Sequence, residues 1–187
     1  WPNGVTGRGQ QRTGLQHTIK AISRLPSNYG ARWLIRGGAE AQYRLGIMYL
    51  SGKGVTQHFA EALKYLRLAA DQGLAVAQAT LGSMYSTGEG VPLDETKAVK
   101  WYLLAAEQGH ALAQSILGLS YASGQGVSQD IVQAHMWLNL AASSFSAADK
   151  ENRTEVAQSR DRLAKLMTPA EITEAQKLAR EWAEQHQ

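Results

Sequence analysis

Small and apolar residues return in one register three times between residues 39 and 146. The blocks AEAQYRLGIMYLSGKGVTQHFAEALKYLRLAADQGL (39–74), AVAQATLGSMYSTGEGVPLDETKAVKWYLLAAEQGH (75–110) and ALAQSILGLSYASGQGVSQDIVQAHMWLNLAASSFS (111–146) align without a gap. Each is 36 residues long, and thirteen positions carry one residue type in all three. A period of this length marks a repeat architecture, in which one unit cannot cover its own apolar face and its neighbours must.

The pattern predicts two helices per block. The first runs over roughly block positions 1–12, as from Ala75 to Ser86, and stops at a spaced glycine pair such as Gly88 and Gly90. Glycine accepts the left-handed conformation that closes a helix, so the pair reads as stop and turn. The second helix starts near Asp94 or Asp130, whose carboxylates can cap free N–H groups. His58 stands at that place in the first block and predicts a weaker cap. The second helix ends near Gly73 and Gly109, where the third block has Phe145.

Helix geometry then assigns faces. At about 100° per residue, block positions 3, 4, 7, 8 and 11 share one arc of about 140°. In the middle block these are Ala77, Gln78, Leu81, Gly82 and Tyr85, and the other two blocks have the same types. This is the arc expected to be buried. A glycine inside a helix costs about 1 kcal/mol relative to alanine. Its threefold use at Gly46, Gly82 and Gly118 therefore predicts close approach of a partner helix. On the second helix the recurring features are Ala62, Ala98 and Ala134, the aromatics Tyr65, Trp101 and Trp137, the leucines Leu68, Leu104 and Leu140, and paired alanines such as Ala105–Ala106. Rings fill what small residues leave open, so Trp101 is expected in the core.

Charge divides the 187 residues into three zones. Residues 1–38 hold six basic side chains, no acid and seven of the 18 glycines; position 1 is Trp. This stretch lacks the basic start, apolar core and small-residue cleavage site of a secretory signal peptide, and is expected to be a poorly ordered extension foreign to the fold. Residues 39–187 hold 13 basic and 16 acidic side chains, so the net charge of +3 belongs to the leader and the body carries no nucleic-acid footprint. The segment 147–187 is densely charged and predicts a capping hairpin. In it a helix over 149–167 has Val156, Leu163, Leu166 and Met167 inward, and a second runs from the capping box at Thr168-Pro169-Ala170-Glu171 to about Gln185. Ile172, Ala175, Leu178 and Trp182 form the inner face of that second helix.

Candidate chemistry is sparse. There are no cysteines, which excludes disulfides, thiolate metal sites and cysteine nucleophiles. The five histidines form no HExxH and no i, i+4 pair, so no metal site is assigned, and His110 and His135 read as surface or interface residues. The glycine pairs follow no strand and precede no Gly-Lys-Ser/Thr, and neither GxSxG nor SxxK occurs. No catalytic residue and no cofactor are assigned. No apolar run reaches the length of a membrane span.

The pattern AxAQxxLGxxYxxGxGV, with an acid three places on, then alanine, an aromatic and paired alanines, resembles the Sel-one-like repeat (SLR), a cousin of the tetratricopeptide repeat. The middle block carries the resemblance through Ala77, Gln78, Leu81, Gly82, Tyr85, Gly88, Gly90, Val91, Asp94, Lys97, Ala98, Trp101, Tyr102, Ala105, Ala106 and Gly109. The departures are His58 and the lost Gln–Gly ending of the third block. The resemblance implies an all-α, right-handed superhelical solenoid of antiparallel helix hairpins. It also implies a non-enzymatic adaptor role, in families whose bacterial members are often exported or periplasmic. Cysteine-rich relatives are described as binding or hydrolysing β-lactams, but they pair cysteines within each hairpin and this chain has none. A cell-envelope adaptor that recognises glycan or lipid-linked material is the other binding reading left open.

Block positions 2, 5, 9 and 12 fall opposite the buried arc and vary between blocks. In tetratricopeptide-like stacks this face lines the concave groove. Carried over, the partner-binding set is Glu40, Tyr43, Ile47 and Leu50; Val76, Ala79, Ser83 and Ser86; and Leu112, Ser115, Leu119 and Ala122. The set is more apolar than a solvated face, which suits a peptide or partner helix. Equally, tight packing of the superhelix could bury these positions. The uncapped first hairpin leaves a route to homodimerisation.

Overall fold

A computed structural model describes residues 38–186, and among these every regular element is an α-helix. They are α1 (Ala39–Ser51), α2 (Phe59–Asp71), α3 (Ala75–Thr87), α4 (Glu95–Ala106), α5 (Ala111–Ser123), α6 (Ile131–Ser144), α7 (Lys150–Ala164) and α8 (Pro169–Gln185). The expectation for the leader falls almost wholly on residues outside those described. The chain divides into two compact units, up to Gly73 and from Leu74 onward, and each is taken by itself.

The first unit contains the hairpin α1–α2. Gly52 closes α1 in the left-handed conformation at φ 69°. The His58 ring does cap α2, with its Nδ1 accepting from the Glu61 N–H at 3.3 Å. The predicted arc of α1 (Ala41, Gln42, Leu45, Gly46 and Tyr49) is buried throughout. Leu45, Tyr49 and Ala62 form the centre, and the rings of Tyr49 and Tyr65 lie parallel, 6.0 Å apart. Gln72, just past α2, donates its Nε2–H to Gln42 Oε1 and ties the end of the second helix to the start of the first.

The second unit repeats this device. Gly88 and Gly124 close α3 and α5 in the left-handed conformation, and Asp94 and Asp130 cap α4 and α6 through bonds of 2.9 Å to the N–H groups of Lys97 and Gln133. Gln108 donates to Gln78 Oε1 at 2.7 Å, the counterpart of the Gln72–Gln42 bond. Gln114, at the same block position, donates to Ala106 O of the preceding hairpin at 3.1 Å, so this glutamine joins successive hairpins. Its Oε1 is buried and unpartnered, because the third block has Ser144 where the other two have Gln72 and Gln108.

The intrahelical glycines sit where helices touch. A Cβ at Gly82 would come within 2.8 Å of the Tyr102 ring, and one at Gly118 within 2.8 Å of Leu138 Cγ. In the first unit Gly46 meets Leu66 in the same way. The side chains that enter the glycine notch are thus Leu66, Tyr102 and Leu138, each one residue after the aromatic series. Trp101 is only half-buried, against expectation, whereas Tyr102 is buried. Leu68 and Leu104 are exposed and only Leu140 is buried.

Both C-terminal helices pack on α6. Val156 and, more peripherally, Leu163 of α7 join Leu138, Ala141 and Phe145. Ala179, Leu178 and Trp182 of α8 join the cluster containing Trp137 and Leu140, with the Trp137 and Trp182 rings edge to face at 6.0 Å. The helix over 149–167 is shorter than expected, and Leu166 is 78% exposed rather than inward, because α7 ends at Ala164 and the chain turns there. The capping box forms as predicted: Glu171 Oε2 accepts from the Thr168 N–H at 2.7 Å, and Thr168 Oγ1 accepts from the Glu171 N–H at 3.3 Å. The Thr168 N–H, and the Thr168 hydroxyl donating to the same Oε2 at 2.8 Å, hold the Glu171 carboxyl below the usual carboxylate range.

Candidate functional site: a groove on the second unit

The twelve residues assigned to a partner face divide in the structure. In the first unit Glu40 is exposed and paired with Arg44 at 2.8 Å. Tyr43, Ile47 and Leu50 are half-buried, and Leu50 leans on the core of its own hairpin. In the second unit Ala79 and Ser115 are only 9% and 7% exposed, so they belong to the packing and not to an open face. Both have small side chains, and neighbouring helices close over them. Val76 is half-buried, and Ser83 and Leu112 are exposed, outside the groove described next.

Ser86, Leu119 and Ala122 do come together. They line an open groove of about 610 Å³ bounded by the end of α3, the first half of α4 and the second half of α5. From α4 come Glu95, Ala98, Val99 and Tyr102, spaced i, i+3, i+4 and i+7 and therefore on one helix face. From α5 come Ile116 and Ser120 besides Leu119, and Ser123 and Gln125 close the rim. Ala98, Val99 and Tyr102 are buried, whereas Leu119 stands 48% exposed. The floor is apolar and the edge polar.

The α4 wall was missed by a reading that took the binding face from first helices alone. The signal was present, since Ala98 and Tyr102 share a face with the recurrent alanines of α4. What the sequence did not display is that α5 leaves the start of that face uncovered.

Polar contacts fix the rim. Gln125 Nε2–H donates to Glu95 Oε1 at 2.7 Å, tying the turn after α5 to the first turn of α4. The turn comes so close that a Cβ on Gly126 would collide with the Glu95 carbonyl, which leaves that position to glycine. The Tyr102 hydroxyl lies 3.4 Å from Ser86 Oγ. Burial raises the phenol's pKa, against the lowering effect of hydrogen bonds from Ser86 and Ser83, and the negative charge of Glu95 adds to the rise. The phenol is a neutral hydrogen-bonding group at physiological pH.

The two histidines expected at a surface or interface differ in burial. His110 caps α5, its Nδ1 accepting from the Ala113 N–H at 3.2 Å. His135 is 4% exposed and faces α7; burial first, then the neighbouring Arg160 guanidinium, depress its pKa, partly offset by Asp161. Among the described residues no three His, Asp or Glu side chains gather as a metal-ligand set, and no helix is long and apolar enough to cross a membrane.

The Sel1 repeat, as its protein family is described, matches residues 39–74, 75–110 and 111–144. The chain belongs to the Sel1 repeat family. Among solved structures it is similar to a Sel1 repeat protein from Oxalobacter formigenes, at 37% identity and a TM-score of 0.58, over 77% of this chain and 98% of that one. It is also similar to c5321, a protective antigen of uropathogenic Escherichia coli strains with an SLR fold, at 26% identity and a TM-score of 0.60. That match covers 82% of this chain but 39% of c5321. A likeness in fold alone extends to the Helicobacter pylori cysteine-rich protein B, at 21% identity and a TM-score of 0.50, over 78% of this chain and 96% of that one. No curated protein matches the chain.

The fold class is therefore the all-helical SLR solenoid class, built of helix hairpins. Proteins of this family generally mediate protein–protein interaction and are typically non-catalytic scaffolds.

Proposed function

We propose that this protein is a non-enzymatic adaptor that presents the groove of its second unit to a peptide segment or helix of a partner protein. One observation carries the reading: an apolar floor made by Val99, Ile116 and Leu119 stays open between hairpins that are otherwise closely packed. A stack held by interhelical glycines and the Gln114 clamp presents such a floor preformed, so little ordering entropy is lost on binding. The polar rim, with a hydrogen-bonded Glu95–Gln125 pair, gives the directional contacts that an apolar floor lacks.

Photocrosslinking in the native host tests this. A benzoylphenylalanine at Leu119 in the groove is compared with one at Leu104, which is exposed but outside it. The expected result is a discrete adduct from position 119 that position 104 does not give, and that a Val99→Glu change abolishes. The same adducts from both positions would refute the groove.

A further inference from the structure

We infer that the groove selects a segment that carries an aliphatic side chain beside a lysine or arginine, with the aliphatic group over Leu119 and the cation against Glu95; this rests on the groove being the binding face. Among the described residues, Glu95 is the one charged side chain that lines it. The other described lining residues are aliphatic, hydroxylic or, at Gln125, an amide, so none of them neutralises that carboxylate. The two lysines that follow on α4 lie off the groove face: Lys97 bonds Asp94 at 2.8 Å, and neither Lys97 nor Lys100 lines the cavity. The partner of Glu95 is instead the neutral amide of Gln125, which orients the carboxylate without cancelling its charge. A carboxylate held at the edge of an apolar floor favours a cation and repels an acidic segment. It discriminates mainly through charge, whereas the aliphatic contact supplies affinity.

Two blocked tetrapeptides serve as probes on the full chain, acetyl-Ala-Leu-Lys-Ala-amide and acetyl-Ala-Leu-Glu-Ala-amide, each titrated against amide chemical shifts. The lysine peptide is expected to shift the Val99, Leu119 and Gln125 amides and to bind about tenfold more tightly than the glutamate peptide. In Glu95→Gln that preference should shrink to about twofold or less while the same amides still move. Raising salt to about 0.5 M should likewise erase the preference in the unaltered chain, which keeps the test valid if the variant folds poorly. Equal binding of both peptides at the groove would overturn the cation preference and leave the groove standing. Shifts that avoid these amides would overturn both.

Discussion

The second and third repeats are built on one template, yet the same residue has different surroundings in each. Trp101 and Trp137 occupy one block position; Trp101 is half-buried, whereas Trp137 is closed over by α8 through Trp182. Gln78 and Gln114 also share a position, but only Gln78 has a glutamine at the end of its own hairpin to satisfy its oxygen. The notch at Gly82 receives a tyrosine ring and that at Gly118 a leucine. A recurrent residue type therefore specifies where a side chain points, while burial depends on which element comes next in space.

The largest effect should come from the tryptophans. Trp137→Ala is expected to cost about 3–5 kcal/mol, the range for truncating a buried aromatic, and Trp101→Ala well under half of that. Denaturant unfolding of the two variants decides it, and equal losses would contradict the difference in cover. Next come the glycines. Gly118→Ala should destabilise by about 1–3 kcal/mol through overpacking. It should exceed Gly82→Ala, because a Cβ there meets the Ala134 carbonyl at 3.1 Å as well as Leu138, and backbone cannot step aside as a ring can.

A gain is expected where the third repeat departs from its template. Ser144→Gln offers Gln114 Oε1 the donor that Gln108 gives Gln78, and should stabilise by about 1 kcal/mol. A higher midpoint in urea would show it, and Gln114→Ala in the same background should remove the gain. The gentlest signature is pH dependence. His135 has its pKa lowered from the ordinary 6.5, so the unfolded chain takes up the proton first. The stability this represents is complete above about 6.5 and drains away as pH falls toward the depressed folded-state value. His110, lowered by burial, adds to the same trend. His135→Phe should flatten the fall in Tm between about pH 7 and 5 without abolishing it.

Much of the fold was legible before any coordinates. The gapless period located six helices, the buried arc of Ala, Gln, Leu and Gly, their caps and their glycine stops, and Thr168–Glu171 marked the start of α8; the tyrosine of that arc is buried at Tyr49 but only half-buried at Tyr85 and Tyr121. These features are local: a 3.6-residue period, a capping side chain or a left-handed glycine acts within a turn or two of chain. The candidate groove was legible only in part. Ser86, Leu119 and Ala122 came from the pattern, but the α4 wall did not, and Ala79 and Ser115 were placed on a face that packing closes.

The sequence by itself determined the repeat, its helices, the inward faces and the need for close contact at Gly46, Gly82 and Gly118, because periodicity and backbone preference are properties of neighbouring residues. Only the tertiary structure decided that Tyr102 rather than Trp101 enters the glycine notch. It alone showed that Gln114 is left with an unanswered oxygen and that a floor stays open beside Glu95. Each of these depends on how much of one helix the next one covers, and that is set by side-chain volumes meeting across many residues of chain.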